Sequence, residues 1–175
     1  YRRPDLVLFI NGLPLVFIEL KNSDVKIKTA YDKNLQDYIK DIPQLFFFNQ
    51  FCVLSNGLET KLGSFTAGYE HFFEWLRLSE GDKVDRKSIR KNGTSIEYLL
   101  EGLLRPDSLL EYIENFILYE NKREKIIGKN HQFLGINNAI EAFKNRAKLD
   151  GKLGVFWHTQ GSGKSYSMAM FVNKI

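Results

Sequence analysis

Phe156-Trp157-His158-Thr159-Gln160-Gly161-Ser162-Gly163-Lys164-Ser165 is the stretch on which the reading of this chain turns. Leu153, Val155, Phe156 and Trp157 read as a buried strand, and Tyr166 to Ile175 reads as the helix that follows. Between them the glycines let backbone N–H groups close around phosphate oxygens, which a Cβ would hold away. Thr159, Gln160, Gly161, Ser162 and Gly163 form the cradle. Lys164 neutralises β/γ-phosphate charge, and the Ser165 hydroxyl reaches an associated Mg²⁺. The N-terminus of the following helix favours an anion. The strict pattern places a glycine five residues before Gly163, where His158 stands. The bland alternative is a glycine-rich turn that holds no nucleotide.

The 175 residues are 43% hydrophobic and 26% charged, which suits a globular chain with one core or one core and the start of a second. No apolar run approaches the ~20 residues of a membrane span, and the opening Tyr-Arg-Arg-Pro-Asp is not a signal peptide. A single cysteine, Cys52, excludes a disulfide framework and suits a reducing cytoplasm. The net charge of +4 is compatible with a nucleic-acid partner without requiring one. The chain starts without methionine and stops ten residues after Ser165, so truncation is expected at both ends.

Upstream of the loop, Leu6–Ile10 and Leu15–Leu20 are apolar runs around Asn11-Gly12 and predict a β-hairpin. Residues 27–40 read as a helix halted before Pro43. Residues 45–55 and 59–65 read as strands around Asn56-Gly57. Residues 69–78, with Phe72, Phe73, Trp75 and Leu76, read as an amphipathic helix or a packed aromatic segment. Residues 79–95 carry five basic side chains, which either touch phosphates or form a solvated loop. Helices are predicted over 96–104, 107–119 and 132–149. The fold class is α/β: a mixed sheet with helices in residues 1–78, connecting helices in 79–128, and the entry to a parallel nucleotide-binding sheet in 129–175.

The second constellation is acidic. Asp5 follows Pro4, and Glu19-Leu20-Lys21 ends the second strand of the hairpin. Glu19 and Lys21 are two apart and share a face. Two carboxylates on one face bind a hard cation such as Mg²⁺, and a nearby lysine orients water or stabilises developing charge. A two-residue turn would oppose Asp5 to Ile18 and turn it to the wrong face. We therefore expect a three-residue loop with Gly12 at positive φ, setting Asp5 opposite Phe17 and diagonal to Glu19. The bland alternative is a hairpin with solvated charges at its ends.

Both constellations resemble one family. Arg3-Pro4-Asp5, Phe17-Ile18-Glu19-Leu20-Lys21-Asn22, Asp41-Ile42-Pro43-Gln44-Leu45-Phe46 and Ser55-Asn56-Gly57 look like the nuclease domain of the motor (restriction) subunit of type I restriction-modification enzymes. Phe156 to Ser165 looks like the start of that subunit's superfamily 2 translocase, a group that relaxes the position of His158. The resemblance implies a PD-(D/E)xK restriction-endonuclease-like fold followed by the beginning of a RecA-like domain. Asp5 and Glu19 are then metal ligands, and Lys21 is the catalytic lysine. It also implies a supporting helix with Gln-x-x-x-Tyr, where Tyr38 matches and Asn34 replaces the glutamine. Gln36 lies roughly opposite Asn34 around a helix and cannot simply substitute. Gln132, in His131-Gln132-Phe133, resembles the family's adenine-reading glutamine, whose amide suits the adenine N6/N7 edge.

The implied function is Mg²⁺-dependent cleavage of double-stranded DNA coupled to ATP-driven translocation, with modification and specificity subunits as partners and no membrane. Alone, these residues are not expected to hydrolyse ATP, since nothing here holds Mg²⁺ opposite Ser165 or positions the water. Two alternatives remain: a nuclease–helicase of DNA repair or phage defence without methylation partners, and a DNA-binding module whose nuclease has decayed.

Overall fold

The computed structural model describes residues 2–155, 159 and 161–175. The hairpin opens it. Strand β1, Leu6–Ile10, pairs antiparallel with β2, Leu13–Leu20. Asn11 and Gly12 sit at φ 51° and 81°, and Ile10 pairs directly with Leu13. The expected three-residue loop is thus corrected to a two-residue turn with two left-handed residues, whose twist matches that of the strands. The face of Asp5 is rescued two residues later. Phe9 pairs with Pro14 but Leu8 pairs with Val16, so Leu15 is an extra residue in β2. Pro14, which cannot donate to the ladder, sits beside this bulge. The Leu15 carbonyl accepts instead from the Gln50 amide at 2.7 Å and from Asn49 Nδ2 at 3.3 Å.

The bulge shows in the packing. Leu15 and Val16 are consecutive yet enter the same core, with Ile18, while Phe17 enters another. Strand β3, Phe51–Ser55, runs parallel to β2; β4, Thr60–Gly63, and the short β5, Phe73–Glu74, follow antiparallel in the order β1-β2-β3-β4-β5. A parallel neighbour requires a crossover. Helix α1 supplies it over residues 27–41, with a π turn at Ala30–Leu35 between α-helical ends. Its Ile27, Ala30, Leu35 and Tyr38 cover one face of the sheet with Phe17, Cys52 and Leu54.

The strand expected over 45–55 begins only at Phe51. Pro43 opens a 3-10 turn, Pro43–Phe46, and the Phe46 ring packs 5.5 Å from that of Phe17, so the apolar run is a plug rather than a strand. The aromatic segment after Tyr69 is packed, with Trp75 1% exposed. Within 79–95 the chain forms helix α2, Arg86–Asn92, capped by the Asp85 carboxylate, where a basic loop was expected.

Helices α3, Ser95–Gly102, and α4, Pro106–Asn115, follow as predicted, but α4 stops short of Tyr119. Ile117–Glu120 is strand β6, paired with β7, Glu124–Ile127, around Asn121 and Lys122 at positive φ. The β-branched and aromatic residues after Phe116 prefer the pleated ladder once that turn is available. Helix α5 is Asn130–Lys144, followed by a 3-10 turn Arg146–Leu149, and α6 is Lys164–Lys174. Residues 153–155 form no strand. Phe156, Trp157, His158 and Gln160 lie outside the described residues.

One core joins these parts. Phe51 of β3 meets Tyr112 of α4 at 5.6 Å between ring centres, and Tyr112 stacks on Phe116. Phe116 in turn packs 4.8 Å from Phe133 of α5. Among the described residues no helix is long and apolar enough to cross a membrane.

Candidate functional site

Continuing the register from Leu6↔Ile18 by one step sets Asp5 opposite Glu19. The Leu20 amide donates to Asp5 Oδ2 at 2.8 Å, which fixes that carboxylate against the end of β2. Glu19 is 2% exposed. Its Oε1 accepts from Lys21 Nζ at 2.6 Å, whereas Oε2 is buried without a hydrogen-bond partner among the described residues. Burial raises the Glu19 pKa most; the Lys21 hydrogen bond opposes the rise, and the Asp5 charge adds to it.

Helix α1 underlies this corner. The Tyr38 ring meets Phe17 edge-on at 5.2 Å, and its hydroxyl donates to the Arg3 carbonyl at 2.6 Å, two residues before Asp5. Burial raises the Tyr38 pKa, with the Glu19 and Asp5 charges acting the same way. Arg2 reaches Asp37 at 3.0 Å and Asp41 at 2.7 Å on the same helix. The Arg2 pairs, on the segment leading to Asp5, were not foreseen, although an arginine two residues before Pro4 and acids four apart on a helix are a legible pair. Asn34 is half-buried one turn before Tyr38, just inside the π turn.

An orphaned carboxylate oxygen beside a second carboxylate, with only hard oxygen donors, fits a divalent cation. Among the described residues no three His, Cys, Asp or Glu side chains converge. A cation here would rest on Asp5 and Glu19, completed by main-chain oxygen and water.

The second site is the glycine loop. Gly161 and Gly163 hold φ of 78° and 85°, conformations a Cβ disfavours. Gly163 precedes α6 without a side-chain cap, leaving first-turn amides open to an anion. The Ser162 hydroxyl is buried, with no partner among the described residues. Lys164 Nζ rests on the Thr159 carbonyl at 3.1 Å, and Ser165 is exposed at the start of the helix. These features fit a nucleotide's phosphates.

Gln132 is 3% exposed and its amide is fully engaged. Nε2 donates to the Gly163 carbonyl at 3.0 Å and to Ser167 Oγ at 2.9 Å, while Oε1 accepts from the Lys129 amide at 2.8 Å. It therefore ties α5 to the loop. A further buried polar group escaped the sequence reading: Lys125 of β7, 5% exposed, donates from Nζ to the Asn49 carbonyl under the Phe65 and Tyr119 rings. Burial lowers its pKa. Nothing in a Glu-Lys-Ile-Ile run signals such a position.

Comparison with known proteins finds relatives for both parts of the chain. The family description "Type I restriction enzyme R protein N terminus" matches residues 1–71, and "SWI2/SNF2 ATPase" matches residues 131–175. The type I restriction enzyme HindI endonuclease subunit of Haemophilus influenzae is 37% identical over 99% of this chain and 17% of its own length. The putative MjaIXP endonuclease subunit of Methanocaldococcus jannaschii is 35% identical over 99% of this chain and 18% of its own. The SauCOLORF180P endonuclease subunit of Staphylococcus aureus is 30% identical over 93% and 16%. The chain thus spans under a fifth of the length of these relatives. It belongs to the R-protein family of type I restriction enzymes and corresponds to the N-terminal region of that subunit.

Proposed function

We propose that this chain carries the DNA-cleaving centre of a type I restriction endonuclease subunit, in a PD-(D/E)xK arrangement, together with the nucleotide-gripping start of its RecA-like motor. The observation that carries the reading is the register: a bulge sets Asp5 opposite Glu19, and Lys21 bonds Glu19 from the same face. Asp5 and Glu19 would hold Mg²⁺, which when bound polarises a phosphodiester and lowers the pKa of water. Lys21 holds its ammonium group where it can orient an attacking water or stabilise charge on the phosphate. Tyr38 and Arg2 act as positioning residues, holding the strand that delivers Asp5.

At the other site Lys164 and the α6 amides would take the β/γ-phosphates of ATP, with Ser165 on the nucleotide's Mg²⁺. Gln132 sets the loop's shape, and an adenine contact would require its amide to exchange one of its present partners. The substrate is double-stranded DNA, and the partners are the modification and specificity subunits of the same system.

The test is Asp5→Ala, Glu19→Ala and Lys21→Ala, each in the whole subunit assembled with its partners. Each variant should lose DNA cleavage while keeping DNA-stimulated ATP turnover. Cleavage by Asp5→Ala at the wild-type rate with Mg²⁺ would overturn the assignment.

A further inference from the structure

A cavity of about 600 Å³ opens between α3, the start of α4 and α5, away from both sites. Arg77 and Arg105 line it, and both residues are exposed. Neither forms an ion pair among the described residues, although Asp82 feels the charge of Arg77. Arg105 is also the residue before α4, a ten-residue helix that opens on Pro106 with no side-chain cap. The amides of Asp107 and Ser108 in its first turn therefore have no intrahelical acceptor, and Ser108 lines the cavity. Two guanidinium groups and an uncapped helix start match a phosphate. Glu101, also on the lining, and Asp107 are the acids that oppose it.

The other wall is apolar, from Leu100, Phe133, Leu134 and Trp75. Trp75 is 1% exposed, and its indole Nε1 is a buried donor without a partner among the described residues. That nitrogen lies against Gly102, another lining residue, where an added Cβ would come within 2.5 Å of it. An unsatisfied donor is costly in an apolar setting, and Gly102, beside it, lines the cavity. The volume is that of a small-ligand site. A phosphate at the arginines leaves room for a planar, hydrogen-bonding body along the apolar wall, as a nucleobase supplies.

We propose that this cavity binds a nucleotide, with its phosphate at Arg77, Arg105 and the start of α4 and its base against Phe133 and Leu134. The nucleotide comes either as a free mononucleotide or as the terminal unit of a DNA strand. The site does not rest on the proposed function, because none of its residues belongs to the nuclease corner or the glycine loop.

Calorimetric titration with AMP and with 5′-phosphorylated hexadeoxyadenylate tests it, using protein in which Lys164→Ala has weakened the glycine loop. Saturable 1:1 binding of either probe should weaken at least about tenfold on Arg77→Gln and on Arg105→Gln. Binding of AMP identifies a free nucleotide as the occupant, and binding of the oligonucleotide alone identifies a strand end. Both guanidinium groups are on exposed residues, so thermal unfolding of the variants should match the parent and exclude misfolding. Absence of binding by both probes, or binding unchanged by both substitutions, overturns the proposal.

Discussion

The Asp5–Glu19 nuclease corner and the glycine loop, the two centres proposed to hold cations and oxyanions, are built by opposite means. The corner takes its geometry from strand register. Asp5, Glu19 and Lys21 are set by ladder pairing, a buried ring at Phe17 and a tyrosine on the covering helix. The loop takes its geometry from two left-handed glycines and one buried amide, that of Gln132. The corner is therefore preorganised and strained electrostatically, with an orphaned carboxylate oxygen. In the loop the Lys164 ammonium rests on the Thr159 carbonyl. Register-built sites carry their cost as buried charge, whereas glycine-built sites carry it as ordering on binding.

The largest effect that separates the two lies in the loop. Lys164→Ala in the whole subunit should lower ATP turnover by about a hundredfold or more, and under the proposed coupling cleavage should fall with it. The Asp5 variant should lose cleavage but keep ATP turnover. Normal translocation by Lys164→Ala in a triplex-displacement assay would break the comparison by removing the loop's role.

Gln132→Ala should have an intermediate effect. It removes three hydrogen bonds from a buried position, at a cost of about 1–3 kcal/mol in stability; the Ser167 hydroxyl loses its donor and the Lys129 amide its acceptor, while the Gly163 carbonyl keeps the Ser167 amide and hydroxyl. Nucleotide affinity should weaken about tenfold while metal-dependent protection of the nuclease corner persists. An unaltered nucleotide affinity would show that the glycines alone shape the loop.

Glu19→Gln gives the smallest and most diagnostic change. The Glu19 pKa is raised, so between its ordinary and raised values the native state binds more protons than the unfolded chain. Stability from this group consequently falls as pH rises through that window. At neutral pH without metal the variant should melt a few degrees higher than the parent, on the order of 2–4 °C, and the advantage should vanish as pH drops below the ordinary carboxylate range. Added MgCl₂ should stabilise the parent and not the variant. A parent that melts higher than Glu19→Gln in metal-free neutral buffer would mean that Lys21 outweighs burial.

These contrasts also explain what the sequence could reveal. The Gly161-Ser162-Gly163-Lys164 run is legible because glycine conformations are local. The hairpin and the shared face of Glu19 and Lys21 were equally legible, since strand alternation is local too. The route by which Asp5 joins them was not. A bulge at Leu15 depends on donors for its freed carbonyl, and those come from Asn49 and Gln50, more than thirty residues away. Similarly, Ile117–Glu120 carries the amphipathic spacing of the helix before it, and only pairing with Glu124–Ile127 decides for a strand. Lys125 escaped notice because a buried lysine is defined by what surrounds it.

The bulge at Leu15 also imposes arithmetic on change in this hairpin. Deleting Leu15 closes the bulge, since it sets the Phe9↔Pro14 pair next to Leu8↔Val16, and Asp5 stays opposite Glu19. A one-residue insertion in β1 between Asp5 and Leu8 instead carries Asp5 opposite Leu20, on the other face from Glu19, although Asp5, Glu19 and Lys21 all survive. Equal insertions or losses on both strands leave the carboxylates facing each other. Between the bulge and the carboxylates the hairpin can therefore vary widely in side chains but change length only in step on both strands, a rule that sequence identity alone does not register.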